Sequence, residues 1–375
     1  NIYSILYIYI YIVFNNNIGM NFVAQENDGI DSMTSAQIME EGKRVIQGFL
    51  KNHTCYDLIP RSGKVIVFDV NIPVKLAFYA LVEHGVASAP LLDPATNKFV
   101  GMFTATDFIE IIRYFYKRGS FTDALTDYSV HAWRSMQQDK KSNQVIPGMI
   151  SLPTTGTLYD ACLKLRMYRI HRVPIMHPHQ NSVLGIASHL DVLKYLVARF
   201  QEQRRLFDQC IFDLKIGRFQ NVITATNETP LIDVLDALAE NRISSVPILD
   251  SKDGTLVDIY CSNYVTYLGK DSLLNYLKRP VGKILEEARA TKDFGDLQPV
   301  HTCNKMGSLH TIFQTFAIAK SHRLVCIDKN NRCDGIVTLS DLLNYFLYDD
   351  KDLSKAYVKK CKKFLKELKK QMENK

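Results

Sequence analysis

Residues 170–191 read Ile-His-Arg-Val-Pro-Ile-Met-His-Pro-His-Gln-Asn-Ser-Val-Leu-Gly-Ile-Ala-Ser-His-Leu-Asp. A short apolar run, a polar turn, a second apolar run, a hydroxyl residue and then Asp describe two strands that feed a helix. The order recurs. Residues 86–107 pass from Ala87-Ser88-Ala89-Pro90 to Thr104-Ala105-Thr106-Asp107, and residues 243–264 from Ser244-Ser245-Val246-Pro247 to Cys261-Ser262-Asn263-Tyr264. Residues 322–341 pass from His322-Arg323-Leu324-Val325 to Thr338-Leu339-Ser340-Asp341. Pro90 and Asp107 stand 17 residues apart, as do Pro174 and Asp191 and Pro247 and Tyr264; Val325 and Asp341 stand 16 apart. Agreement this tight over four segments marks an internal repeat.

Each segment is preceded by a helix. In the first, Val74, Ala77, Phe78, Leu81 and Val82 fall at helical spacing, with Asn71 as the expected cap and Gly85 as the stop. Strands are expected at 89–92 and 99–103 and a helix at Phe108–Tyr116. Thr157 with Asp160 forms a capping-box pair, Thr229-Pro230 puts Pro at the first helical position, and the fourth helix starts at Ser308. The result is an α/β chain of four β-α-β-β-α units. One such unit cannot cover its own sheet, so the units should pair. Residues 118–145 and 201–217 read as the connections. The expected division is a flanking segment 1–42, repeat one 43–117, linker and repeat two 118–200, linker and repeat three 201–277, repeat four 278–348, and a basic amphipathic helix 349–375.

Composition agrees with a globular chain of two to three domains: 375 residues, 46% apolar and 23% charged. The eight cysteines contain no Cys-x-x-Cys, which speaks for reduced thiols rather than zinc or a disulfide framework. The net charge of +7 is local. Residues 351–375 carry ten lysines against Asp352, Glu367 and Glu373, so the other 350 residues sum to zero and no nucleic acid is called for. The apolar positions 353, 357, 361, 364, 365, 368 and 372 of that tail suit a helix docked on its own domain better than one on an anionic membrane or an acidic partner. The apolar residues 1–14 are too few for a spanning helix of ~20 residues and lack signal-peptide flanks. Residues 1–19 read as translated flanking sequence, with Met20 or Met33 as the start, and residues 20–42 as a polar, unstructured run.

Two patterns carry chemistry. The Asp of Thr/Ser-x-Thr/Ser-Asp (Asp107, Asp191, Asp341) can accept hydrogen bonds from a ribose diol, and the hydroxyls and helix-start N–H groups suit a phosphate or an adenine edge. The alternative is that each Asp only caps its helix. His171-Arg172 and His322-Arg323 stand at equivalent positions, where they would converge on a phosphate or else satisfy helix C-terminal carbonyls. No Gly-x-Ser-x-Gly, His-Glu-x-x-His, Walker loop or Gly-x-Gly-x-x-Gly occurs, and His177 and His179 fall in an exposed turn.

The repeat resembles the CBS module, four of which make two Bateman domains in a flat pseudo-symmetric disc. Residues 55–60, 101–108, 132–134, 170–174, 257–260, 322–324 and 335–341 together resemble the regulatory gamma subunits of AMP-activated protein kinase, over about residues 45–348. The resemblance implies a non-catalytic protein that binds AMP, ADP and ATP, controls a catalytic alpha subunit and joins a scaffolding beta subunit, which residues 50–60 would dock. It implies a cytoplasmic or nuclear location. By position it gives Asp107 and Asp341 the ribose hydroxyls, with Thr104, Thr106, Thr338 and Ser340 lining those sites. It gives His171, Arg172, His322 and Arg323 the phosphates, sets Ser244 beside the repeat-four site, and sets Ile150 against adenine. The chain departs from the family at Ala87 (usually Arg), Leu190 (usually Lys) and Tyr264 (usually Asp). Asp191 stands where the family has Arg, so a normally empty site could bind here. Arg218 replaces a small Thr and would either add phosphate affinity or block entry. These losses leave a second reading: a gamma-like scaffold with reduced nucleotide binding.

Overall fold

In the computed structural model the described residues are 34–61, 64–119, 128–140, 149–200, 207–269, 273–290 and 299–347. The basic helix expected over 349–375 and residues 1–33 lie outside them. The chain divides into 1–41 and 42–375. A helix, α1 (Ser35–Asn52), starts well before residue 43, in a stretch expected to be unstructured. The reason is a capping box: Thr34 N–H donates to Gln37 Oε1 at 2.8 Å, and Gln37 N–H donates to Thr34 Oγ1 at 3.4 Å.

Beyond a 3₁₀ turn at Cys55–Leu58, the elements follow the repeat. Repeat one holds β1 (Phe68–Asp69), α2 (Val74–Glu83), β2 (Ser88–Asp93), β3 (Lys98–Thr104) and α3 (Ala105–Arg118), after which comes α4 (Val130–Lys140). Repeat two holds β4 (Leu152–Pro153), α5 (Leu158–Tyr168), β5 (Arg172–Met176), β6 (Val183–Ser188) and α6 (His189–Arg199). Repeat three holds β7 (Ala225–Thr226), α7 (Leu231–Glu240), β8 (Ser245–Leu249), β9 (Leu256–Cys261) and a 3₁₀ helix at Ser262–Gly269, followed by α8 (Leu273–Leu277) and α9 (Val281–Ala290). Repeat four holds β10 (Thr302–Cys303), α10 (Leu309–Ala319), β11 (Arg323–Ile327), β12 (Cys333–Thr338) and α11 (Leu339–Tyr345). Each repeat has its own three-stranded sheet. A two-residue first strand runs parallel to the middle strand, and the middle strand pairs antiparallel with the third.

Local chemistry sets the helix starts. Thr104, Thr157, Ser188 and Thr338 are N-caps whose hydroxyls accept from an N–H three residues on, and the Asp at that third position accepts in return. Asn71 is not a cap. Its N–H donates to Asp69 Oδ1 at 2.8 Å, and α2 opens three residues later, where Tyr128 carbonyl accepts from Val74 N–H. A tertiary partner thus does the work of a side chain. In repeat three the box is missing, and a 3₁₀ helix replaces the expected α-helix. Tyr264 occupies the Asp position and packs into the core, its ring 5.9 Å from that of Tyr260.

The connections complete the repeats. Tyr128 to His131 hydrogen-bond back to repeat one, and Arg279 to Gly282 to repeat three, so residues 278–290 belong physically with the repeat before them. The segment ahead of each pair crosses to the pair's second repeat. Cys55 and Tyr56 donate to Gly156 and Thr154 of repeat two, and Ile211 and Phe212 to Gly307 and Lys305 of repeat four. Cys55 is buried in the repeat-two core with Leu152, Ala161, Leu165 and Val173. Consecutive repeats meet through strand ends, as where Leu256 N–H donates to Asn331 carbonyl at 2.8 Å. Helices instead pack α3 on α7 and α6 on α11, joining repeat one to three and two to four. Arg113 on α3 pairs with Asp236 and Glu240 on α7.

One ion pair lies inside this frame. Arg289 on α9 donates Nε to Asp258 Oδ2 at 2.8 Å and Nη2 to Oδ1 at 2.7 Å; the Asp258 side chain is 9% exposed and that of Arg289 32%. Removing the arginine strands a buried carboxylate, at a cost of about 3 kcal/mol, whereas removing the carboxylate leaves a partly solvated cation. In urea unfolding, Arg289→Ala should therefore lower stability by about that amount and Asp258→Gly by clearly less.

Candidate functional site

The antiparallel hairpin brings the two sequence motifs face to face. Arg172 on β5 is directly opposite Ser188 on β6, and Arg323 on β11 is opposite Thr338 on β12. The helix cap and the cation therefore share one end of each sheet. Just before that end, helices α5, α7 and α10 close on Arg169, Arg242 and Lys320 at φ of 52°, 52° and 49°, where repeat one uses Gly85. The left-handed turn swings the next residues toward the sheet's end.

Repeats two, three and four meet around a cavity of about 340 Å³. Repeat two supplies His171, Arg172 and His189; repeat three supplies Arg242, Ser244, Ser245, Ser262 and Asn263; repeat four supplies His322, Arg323, Thr338, Ser340 and Asp341. Arg218 lines it from the preceding segment, held by an antiparallel bridge in which Arg218 N–H donates to Ile336 carbonyl at 2.8 Å and Ile336 N–H returns to Arg218 carbonyl at 2.9 Å. Gly217, at φ +110°, permits that approach, since a Cβ there would meet Val337 Cγ2 at 2.8 Å. Four guanidinium groups and three imidazoles face one carboxylate, so the cavity attracts a polyanion.

Asp341 does two things at once. Its Oδ2 accepts from Thr338 N–H at 2.9 Å and Thr338 Oγ1 at 2.7 Å, while Oδ1 takes no part in the capping box. Capping and ligand binding are thus compatible at one carboxylate. Arg323 reaches out of its own repeat: Nη1 donates to Ser244 carbonyl at 2.9 Å, so it serves the contact with repeat three rather than the end of its own helix.

The histidines sit in a crowded, positive field. Burial, then the Arg323 and Arg172 charges, lower His171 to about 4. Burial and the same charges lower His322 to about 3. Both rings remain open to the cavity. His189 is 5% exposed, and burial followed by the His171 charge lowers it to about 3; its Nε2 has no hydrogen-bond partner in the protein.

Eight of the residues expected from the sequence thus converge: His171, Arg172, Ser244, His322, Arg323, Thr338, Ser340 and Asp341. Five do not line this cavity. Thr104, Thr106 and Asp107 form the helix start of repeat one, where burial pushes the Asp107 carboxyl up against the pull of Thr104 and Arg134. Ile150 packs beside the repeat-two core. Asp191 is in the capping box of Ser188, close enough to Arg172 to act on its charge. Leu190, in place of a cation, is buried at 9% exposure. His189 and Arg242 were not expected. Repeat register could have found both, His189 as the residue after the hydroxyl cap and Arg242 as the left-handed helix end.

His177 Nδ1 accepts from His179 and Gln180 N–H, so that pair shapes a turn. No group of metal-ligating residues and no helix long and apolar enough to cross a membrane occurs among the described residues.

A family model for the CBS domain matches residues 57–114, 144–198, 217–260 and 294–348. The chain is 39% identical over 333 residues to the 5'-AMP-activated protein kinase subunit gamma of Dictyostelium discoideum, covering 87% of this chain and 56% of that protein. It is 29% identical over 310 residues to the human subunit gamma-3, covering 82% of this chain and 61% of that protein. It thus spans well under two thirds of the length of these curated relatives. Among solved structures, a Methanocaldococcus jannaschii protein described as a putative archaeal homolog of g-AMPK superposes with TM-score 0.59 at 20% identity, over 78% of this chain and 100% of that one, a likeness of fold.

The histidine environment has a pH consequence. Values of about 3 to 4 in the fold lie below the unfolded 6.5, so the unfolded chain takes up protons first. The stability that these three groups contribute is present above pH 6.5 and is lost as pH drops from 6.5 toward 4. Urea midpoints between pH 7.5 and 5 should decline in the parent and decline less in a His171→Asn, His189→Asn, His322→Asn triple variant, since carboxylates barely titrate in that range.

Proposed function

The chain belongs to the CBS domain family, and from that premise we propose that it is a regulatory gamma-type subunit of an AMP-activated protein kinase complex. It binds AMP, ADP and ATP, performs no chemistry, and passes the adenylate state to a catalytic alpha subunit held with a scaffolding beta subunit in the cytoplasm or nucleus. The observation that carries this reading is the joint lining of one cavity by Asp341, Thr338 and Ser340 with His171, Arg172, His322 and Arg323.

In this reading Asp341 accepts the ribose hydroxyls through the oxygen outside its capping box, and Thr338 and Ser340 border the sugar. His171, Arg172, His322 and Arg323 take the phosphates, with Ser244 at the edge. Arg218 and Arg242 add cations from the other wall, which offsets part of the charge missing at Ala87 and Leu190. Thr104, Thr106 and Asp107 would serve a second nucleotide at repeat one, with Asp191 a further acceptor and Ile150 beside adenine. Residues 50–60 remain the candidate beta contact: their backbone is engaged on repeat two while the Tyr56 side chain is 68% exposed. Buried Tyr264 favours one exception, a repeat-three position that serves as scaffold only.

The test is AMP binding by calorimetry on the full chain, with ATP as competitor. Asp341→Asn keeps an oxygen for the helix cap but loses the charge, and should weaken AMP by roughly tenfold or more, at about 1.5 kcal/mol for a charged hydrogen bond. Asp107→Asn should leave that site's affinity unchanged. Binding should take up protons below pH 6.5, because a phosphate beside His171, His189 and His322 favours their charged forms. No AMP heat from a folded chain would overturn the nucleotide reading and leave the scaffold.

A further inference from the structure

Seven of the cysteines fall among the described residues, and two of them touch. Cys303 on β10 and Cys326 on β11 are direct partners in the parallel pairing, and their sulfurs are 3.3 Å apart. Three of the other five are engaged differently. Cys55 Sγ lies 3.6 Å from Thr157 carbonyl, Cys210 Sγ 3.0 Å from Asp213 Oδ2, and Cys333 Sγ 3.7 Å from Gly335 carbonyl. Exposure also separates the two partners. Cys326 is fully buried, whereas Cys303 is partly open to solvent. Strand pairing fixes the two backbones, and Val325 N–H donates to His301 carbonyl at 3.0 Å beside the pair. Bonding the sulfurs would require them to close to about 2.05 Å, a motion that side-chain torsions can supply.

We propose that Cys303 and Cys326 are an oxidation site that closes to a disulfide on exposure to hydrogen peroxide. Cys303, the accessible member, is attacked first. Its thiolate sulfur displaces hydroxide from the peroxide, the O–O bond breaks, and a sulfenic acid forms. The Cys326 sulfur then attacks the Cys303 sulfur and expels hydroxide, which leaves as water with the Cys326 proton. In sum, two thiols and one peroxide give one disulfide and two waters. The hydrogen bond with Cys303, and then burial, hold the Cys326 thiol protonated, which keeps it the resolving rather than the attacked member. The bond closes a loop that contains α10 and His322-Arg323, so it ties β11, which presents Arg323 to the cavity, to its neighbouring strand.

The sequence makes the assignment clean. Trypsin cleaves after Lys292, Lys305, Arg323, Lys329 and Arg332, which puts Cys303, Cys326 and Cys333 on three different peptides. The full chain is treated with hydrogen peroxide, its remaining thiols are alkylated, and non-reducing peptides are mapped by mass. The expected result is a 303–326 linkage in the parent and in Cys333→Ser, its absence in Cys303→Ser, and its loss on treatment with dithiothreitol. In Cys326→Ala, dimedone should label Cys303 as the trapped sulfenic acid. A folded parent that yields only a 326–333 linkage, or only sulfinic acid at Cys303, overturns the proposal.

Discussion

The antiparallel register at the end of each hairpin governs the rest. Once Arg172 faces Ser188 and Arg323 faces Thr338, a cation and a helix start must occupy the same sheet edge. Two motifs about 16 residues apart in the chain become neighbours without any long-range design. A three-stranded sheet whose first strand has two residues cannot bury itself, so its edges and faces have to be supplied by other repeats. The cavity is where three such edges meet, and its positive lining follows from that geometry.

That lining is costly in the absence of an anion. Guanidinium groups from Arg172 and Arg323 lie near enough to lower both His171 and His322, and Arg172 is itself pulled down by burial and by Arg323. The counterweights are few. Asp341 spends one oxygen on its helix, and Asp191 acts on Arg172 from outside the cavity. A site whose own charges repel one another is poised to gain from a polyanion. His189, buried with an unpartnered nitrogen, points the same way.

Much of this was legible in the chain. The recurring spacing of 16 or 17 residues marks four hairpins, and hydroxyl-x-x-Asp marks four helix starts, because both depend on contacts within a few residues. The misreadings share a cause. Asn71 looked like a cap, but Tyr128, more than fifty residues on, supplies the partner for Val74. The helix at Ser262 failed because a tyrosine at the Asp position prefers the core to a capping box. Arg242 escaped notice because a left-handed arginine carries no composition signal of its own; only its alignment with Gly85 gives it away. Residues 201–217 looked like a linker, yet within them Ile211 and Phe212 bond to repeat four and complete it.

The four repeats also answer one problem in two ways. Gly101, Gly185, Asp258 and Gly335 are equivalent, each opposite the residue after the strand's Pro or, in repeat four, Val position. Each one meets the segment that closes its repeat. In repeats two and four that segment comes from ahead of the pair: a Cβ at Gly185 would lie 3.7 Å from Ile59, and one at Gly335 only 2.6 Å from Phe219. In repeats one and three it is an arginine on the helix that returns. Arg134 lies over Gly101 and donates to Val100 and Met102 carbonyls, at 3.2 and 2.7 Å. A ring packed on the backbone leaves no room for a side chain, so repeat four keeps glycine. An arginine is long enough to retreat, and if the strand offers a carboxylate it gains a bidentate partner in place of two carbonyls. Asp258 with Arg289 is that second solution, and it explains why the one side chain tolerated at this position in the four repeats is acidic.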